Sequence, residues 1–384
     1  MSSNSLDALP LELLRQVLPA ARAGTVRSAS HAMRARVDAA HVDAEVQATQ
    51  EFARGEGLLG RLAGLDAWCR VTVLRLEGCN LQDEGAMRLA GWLRGNSTLR
   101  ELDLSHNGIR ERGSEALAAA LRVNATLQEL DVFNNYIDGA GVRALAAALH
   151  ENTALQKLDL ANNDVDGLGA QALAEALRVN RTLETLNLSY NDIDDPGVQA
   201  LAQALRVNAS LRRFDLYTLG LDLRDGGAQA LGQAVRDNAA LQALGLAGCR
   251  LGERGAQALA QALRSNTALR ELNLARTEPG DDGLEALAEA LCVNGTLREL
   301  DLANNHLGEH GAQALADAMR ANGTLRTLVL RHTDLGERGA LALAAALCGN
   351  TGLRKLDVSF ARVSARGRDA LDEAWSARTR DLVM

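Results

Sequence analysis

His306 and His310 are the residues whose spacing comes nearest to chemistry. They stand four apart in the stretch HLGEH. Two histidines on one helical face can hold zinc beside a glutamate that acts as base, but this needs the order H-E-x-x-H. Here Glu309 directly precedes the second histidine, and the pair spans a turn entering a helix. The five cysteines show no C-x-x-C spacing. Neither the phosphate loop G-x-x-x-x-G-K-[ST] nor the nucleophile turn G-x-S-x-G occurs. Catalysis needs a nucleophile, a base and an orienting group in one pocket. The sequence offers no such set, so we expect no enzyme, no metal site and no cofactor.

What the chain does carry is a repeat. The pattern L-x-x-L-x-L-x-x-N-x-L restarts at Val71, Leu99, Leu127, Leu155, Leu183, Leu211, Leu241, Leu269, Leu297, Leu325 and Leu353. The step is 28 residues except between Leu211 and Leu241, where it is 30. This leucine pattern at this period predicts an α/β leucine-rich-repeat solenoid. The expected form is a right-handed βα horseshoe with a parallel sheet on its concave face and a small helical N-terminal module. One repeat cannot bury its own apolar face, so neighbours must stack.

The repeat beginning at Leu155 shows why. Leu158 and Leu160 keep the period of two expected of a short strand. Ala170, Leu173, Ala174 and Leu177 then form a single helical stripe. Asn163 leaves the strand where a polar side chain can bond backbone groups of adjacent turns, and Asn107, Asn135, Asn191 and Asn305 repeat it. Cys79, Cys249, Thr277 and Thr333 can donate a weaker version. Glycines such as Gly113, Gly255 and Gly283 open the helices, where they suit tight turns. Asn124, Asn152 and Asn180 close them, where a left-handed residue is tolerated. Acids precede the helix starts and arginines fill the last turns, as the helix dipole favours.

The repeats divide the 384 residues. We read residues 1–45 as a helical module, 46–70 as a helical cap or linker, 71–375 as eleven repeats and 376–384 as a polar tail. Solenoid ends need caps, and Trp68, Trp92 and Trp375 sit near them. A net charge of −8 argues against a general nucleic-acid binder. No apolar run is long enough for a membrane span, and MSSNSLDALP lacks the layout of a secretory signal. An odd number of cysteines fits a reducing cytoplasm. Only two of the 41 basic side chains are lysines, Lys157 and Lys355. A GC-rich genome accounts for that; so would selection against sites for ubiquitin attachment.

Before the repeats, LPLELLRQVL places Leu11, Leu14 and Leu18 on one face of a helix opened by Pro10. Val26, Ala29, Met33 and Val37 also show helical spacing. The segment Leu9 to Val37 resembles a shortened F-box, the helical motif that docks on the Skp-type adaptor of cullin ubiquitin ligases. Leu9, Pro10, Glu12, Leu14 and Val17 match its opening pattern, and Val26 and Met33 its later apolar positions. Met33 stands where that motif usually has tryptophan. The repeated GAQALA at Gly169, Gly255 and Gly311 is similar to the signature of the GALA group of bacterial type III effectors, in which an F-box precedes leucine-rich repeats. The resemblance implies delivery by type III secretion into a host cytoplasm and a non-catalytic receptor that recruits a target to a host ubiquitin ligase. It implies adaptor contacts by Leu9, Pro10, Leu13, Leu14, Val17, Leu18 and Met33.

A target would sit on the concave face, where side chains between the inward leucines point. One column there reads Arg75, Asp103, Asp131, Asp159, Asn187, Asp215, Gly245, Asn273, Asp301, Val329, Asp357. It is either a default repeat residue on a solvated face or an acidic ladder for a basic segment. Aromatic residues number only ten, and Phe133, Tyr136, Tyr190 and Tyr217 gather in repeats three to six. Repeat six also carries the two-residue insertion, in YTLGLDLRDGG. The expected partner site is therefore Asp131, Phe133, Tyr136, Asp159, Tyr190, Arg213, Asp215 and Tyr217. The alternative function is a scaffold or inhibitor with no ubiquitin link, its N-terminal helices serving only as a cap.

Overall fold

The computed structural model describes residues 33–37, 44–48, 71–223, 226–377 and 381–383. The chain divides into two compact units, Met1–Leu186 and Asn187–Met384. Among the described residues, eleven strands alternate with eleven helices across residues 71–376, as a leucine-rich-repeat fold requires.

In the first unit the sheet order follows the chain: β1 (Met33–Val37), β2 (Ala44–Ala48), β3 (Val71–Arg75), β4 (Glu101–Asp103), β5 (Glu129–Asp131) and β6 (Lys157–Asp159). From β2 onward the pairs are parallel. Leu74, Leu102, Leu130 and Leu158 stand in register. Each is almost fully buried, which stabilises by roughly 1.5–3 kcal/mol per leucine. The helices between and after these strands are α1 (Gln82–Leu93), α2 (Glu111–Leu121), α3 (Gly139–Glu151) and α4 (Gly167–Val179).

Strand β7 (Thr185–Asn187) lies at the boundary of the units. The second unit contains β8 (Arg213–Asp215), β9 (Ala243–Gly245), β10 (Glu271–Asn273), β11 (Glu299–Asp301), β12 (Thr327–Val329), β13 (Lys355–Asp357) and β14 (Asp381–Val383), all parallel and in chain order. Its helices are α5 (Asp195–Leu205), α6 (Gly227–Asp237), α7 (Gly252–Leu263), α8 (Gly280–Val293), α9 (Gly308–Ala321), α10 (Gly336–Gly349) and α11 (Ala365–Ser376). Trp375 is buried in the last of these.

Both ends differ from the sequence expectation. Met33–Val37 is a strand, not a helix, and it pairs antiparallel with Ala44–Ala48, which enters the segment read as a helical linker. The stretch MRARV alternates apolar and charged residues, so it also carries a strand period. Pairing of β2 with β3 covers an edge that the first repeat would otherwise leave bare. The remaining expected N-terminal helices, with Leu9, Pro10, Leu13, Leu14, Val17 and Leu18, lie outside the described residues. At the other end the polar tail supplies β14, which pairs with β13 and extends the parallel ladder by one strand.

Two local readings are also revised. Gly113, Gly255 and Gly283 do not have positive φ; they are required by close packing between helices. A Cβ on Gly255 would lie 2.6 Å from the Ala228 Cβ, and one on Gly283 would lie 2.7 Å from the Ala256 Cβ. The helix-closing asparagines are not left-handed: Asn152 has φ −73° and ψ 131°. They are there for their side chains. Asn180 Nδ2 donates to the Leu149 and Asn152 carbonyls at 2.8 and 3.1 Å, while its Oδ1 accepts from the Thr182 and Leu183 N–H groups. The strand-exit asparagines do the same on the sheet side. Asn107 Nδ2 donates to the carbonyls of Leu76, Leu104 and Ser105, and Oδ1 accepts from Leu81 N–H. Cys249 Sγ and Thr277 Oγ1 donate to single carbonyls, Leu216 at 2.9 Å and Leu274 at 2.7 Å.

Candidate protein-binding face

On most of the short strands from β4 to β13 the residues flanking the buried central one are at least partly exposed; β9 is buried at all three positions and Asp357 of β13 is buried. The second flanking position is the aspartate column, and its geometry is repetitive. Asp103, Asp131 and Asp159 each accept, through Oδ1, the N–H two residues on, at 2.8–2.9 Å. Asn187, Asn273, Asp301 and Asp357 do likewise. This Asx turn bends the chain out of the strand, so the column is in the first place a structural device. The sequence alone left that open.

In the first unit the column sits among further acids, Glu77, Glu101 and Glu129. Burial raises the Asp131 carboxyl to about 6; the Phe133 N–H opposes this, and Asp159, Asp103 and Glu77 add to it. Phe133 is half-buried and meets the His106 ring edge-on at 5.1 Å. Tyr136 is 57% exposed, with the Arg110 guanidinium 5.3 Å from its ring centre. Lys157 pairs with Glu129 at 2.5 Å.

In the second unit the strand face forms a groove of about 720 Å³ lined by residues from Asn187 to Asp357. Tyr190 and Tyr217 stand at one end, edge to face with ring centres 4.6 Å apart. Burial, then the Tyr217 hydroxyl, raise the Tyr190 phenol above its usual range. Asp215 breaks the column's rule. Tyr217 N–H donates to Ser189 Oγ instead, and Asp215 accepts from Arg213 Nε at 2.8 Å. The floor is made of small residues, Gly245, Ala247, Ala275 and Ala303. Arg331, His332 and Lys355 lie toward the other end, and Arg276 lies between, near enough for its charge to act on the Tyr190 phenol.

The expected eight-residue site thus falls into two groups, each in its own unit: Asp131, Phe133, Tyr136 and Asp159 in the first, and Tyr190, Arg213, Asp215 and Tyr217 in the second. Reasoning from sequence missed Arg276, Arg331, His332 and Lys355, because they are spread over three repeats. It also missed the rim. At one position in most repeats the chain is left-handed, with φ 51° at Asn134, 53° at Asn162, 58° at Asn304 and 78° at Gly248. Asn and Gly suit that conformation. His332 adopts it at φ 51°, and Tyr190, Arg276 and Phe360 adopt it at φ 56°, 57° and 57° against their own preference. The recurrence of Asn and Gly at this position was the available signal.

Among the described residues no group of three or more His, Cys, Asp or Glu is placed to hold a metal ion. His306 Nδ1 lies 3.5 Å from the Asp334 carboxylate. No helix among them is long and apolar enough to cross a membrane.

Comparison with known proteins bears on this geometry. The sequence model of the TMOD/LMOD leucine-rich domain matches residues 134–254 and again 255–377. A general leucine-rich-repeat model matches residues 70–90 and 95–118. No curated protein matches the chain. Among solved structures, the leiomodin-1 actin-binding site 2 is 20% identical over 38% of this chain and 87% of its own, with a TM-score of 0.31. Rad7, solved in complex with Elc1 in yeast, is 18% identical over 78% of this chain and 72% of the other, with a TM-score of 0.52.

Proposed function

The chain belongs to the TMOD/LMOD leucine-rich domain family, and we propose that it is a non-catalytic scaffold that holds a partner protein on the solvent face of its strands. The observation that carries this reading is the Tyr190–Tyr217 pair, which stands on that face with Tyr190 half exposed. At the position of Tyr217, two residues after the strand, the other repeats of the second unit have mostly Ala or Ser. Exposed tyrosines are frequent anchors at interfaces, and truncating a central one costs about 2 kcal/mol or more of binding. Tyr217→Ala with unchanged circular dichroism should therefore release a partner captured by cross-linking and identified by mass spectrometry. Full retention of that partner by Tyr217→Ala and Tyr190→Ala alike would remove this reading.

The finer form of the function rests on the F-box resemblance of Leu9 to Val37. In that form a bacterial effector, delivered into a host cell, uses Leu9, Pro10, Leu13, Leu14, Val17, Leu18 and Met33 to dock on a Skp-type adaptor while the strand face holds the target. The competing form is a scaffold or inhibitor whose N-terminal segment only caps the repeats, and the β1–β2–β3 pairing favours a capping share for that segment. A pull-down with a purified plant Skp-type adaptor separates the two. Capture by the unmodified protein, lost in Leu9→Ala/Pro10→Ala, supports the receptor. No capture by the folded unmodified protein leaves the scaffold.

A further inference from the structure

Resting on the scaffold reading, we infer that the groove of the second unit takes an extended partner segment with an aromatic or large apolar residue at the tyrosine end and carboxylate side chains along the rest. Four cations and three carboxylates line the groove, namely Arg213, Arg276, Arg331 and Lys355 against Asp215, Asp301 and Asp357. The carboxylates are already committed. Asp215 accepts from Arg213, and Asp301 accepts the Ala303 N–H. Asp357 accepts the Ser359 N–H and hydroxyl and lies 3.7 Å from Arg331. Arg213 is committed in turn to Asp215 and Glu271. Arg276 and Lys355, both exposed, have no carboxylate within salt-bridge distance among the described residues. Pairing Arg213 with Asp215 and Arg331 with Asp357 leaves Arg276 and Lys355 against Asp301, whose backbone hydrogen bond does not cancel its charge. The groove lining therefore keeps one net positive charge, although the chain as a whole is acidic.

Shape narrows the occupant further. The Gly245, Ala247, Ala275 and Ala303 floor lets a backbone approach the sheet closely. From β8 to β13 there are five strand spacings, about 24 Å, which about seven residues of extended chain would cross. Along the way Asn273 spends its Oδ1 on the Ala275 N–H, while its Nδ2 can meet a passing carbonyl. The rim holds Arg276 in a left-handed conformation that Asn adopts more readily at the same position of the next repeat. Such backbone strain clusters at ligand-binding positions, and Tyr190 at the tyrosine end shares it. The closely approachable Gly and Ala floor and the Asn273 Nδ2 donor suit a polypeptide backbone rather than a nucleic acid.

Selection of random peptides about eight residues long, displayed on phage, against the full chain tests this. Parallel selections use Arg276→Glu/Lys355→Glu and Tyr217→Ala, each checked by circular dichroism. The expected result is enrichment of peptides with carboxylates plus an aromatic or large apolar residue, weakened about tenfold or more by the charge reversal and by Tyr217→Ala. Enriched peptides that lack carboxylates, or that bind the charge-reversed protein equally well, would overturn the inference and leave the scaffold function standing. No enrichment at all would count against both. Binding of labelled oligothymidylate that the same reversal abolishes would replace the peptide with a nucleic acid.

Discussion

Arg213 and Glu271 are joined at 2.7 Å although 58 residues separate them in the chain, because Arg213 reaches past the Ala243 rung between their strands. Both side chains are nearly half exposed. Such a bridge gives little stability, about 0–1 kcal/mol. Its effect is on position: it holds Arg213 flat along the sheet, away from a ligand.

Arg213→Ala should therefore lower the midpoint of urea denaturation only marginally, with a loss under about 1 kcal/mol. Glu271→Ala should do the same, and a double-mutant cycle should give a coupling of that size or smaller. A coupling well beyond it would mean that the pair is more dehydrated than its exposure indicates.

The buried asparagines should behave in the opposite way. Asn180 is 4% exposed and satisfies two carbonyls and two N–H groups. Asn180→Leu fills a similar volume but leaves those groups without partners, at about 1–3 kcal/mol each where they stay dry. We expect a loss of at least about 3 kcal/mol in chemical denaturation. A loss below about 1 kcal/mol would show that water enters and replaces the side chain.

Asp131 predicts a pH dependence. Its carboxyl rises to about 6 in the folded protein, against 3.8 for the ordinary group, chiefly through burial. The folded state thus holds that proton more tightly than the unfolded state, and this group opposes folding increasingly as pH climbs from about 4 to about 6. Asp131→Asn keeps the acceptor for Phe133 N–H and removes the charge. The variant should melt at a higher temperature than the parent at pH 7 and show little gain near pH 4. A gain of equal size at both values would assign the effect to something other than ionisation.

Arg276 predicts a trade between stability and binding. Left-handed backbone disfavours most side chains by roughly 1–2 kcal/mol, and Asn304 shows which residue suits this place. Arg276→Asn should stabilise by up to about 1 kcal/mol in denaturation while weakening any carboxylate-bearing ligand. A variant that is both less stable and unimpaired in binding would contradict both halves.

The fold was legible because one leucine spacing recurs eleven times, and each repeat solves the same burial problem. The two asparagine positions were legible as polar sites, although one was misjudged as a left-handed cap. Only its side-chain bonds to the preceding repeat reveal why Asn152 or Asn180 stands there. Met33–Val37 misled because MRARV satisfies a strand period and, together with Val26 and Ala29, a helical one. On the candidate face, the tyrosines stand out in the sequence by their scarcity. Arg276 and Lys355 were not, because they are 79 positions apart in the chain and only the parallel stacking of strands puts them on one face.

The insertion in repeat six leaves the asparagine ladder intact. Asn238 Nδ2 reaches Leu205 and Asn208 at offsets of 33 and 30 residues, where Asn266 spans 31 and 28 to Val235 and Asn238. The surplus residues are therefore absorbed between strand and helix, around the exposed Leu219 and Gly220 at φ 91°. That corner gives the architecture a place where length can drift through evolution without touching the repeat spacing. It is also where an engineer could graft a reporter loop or a second binding element.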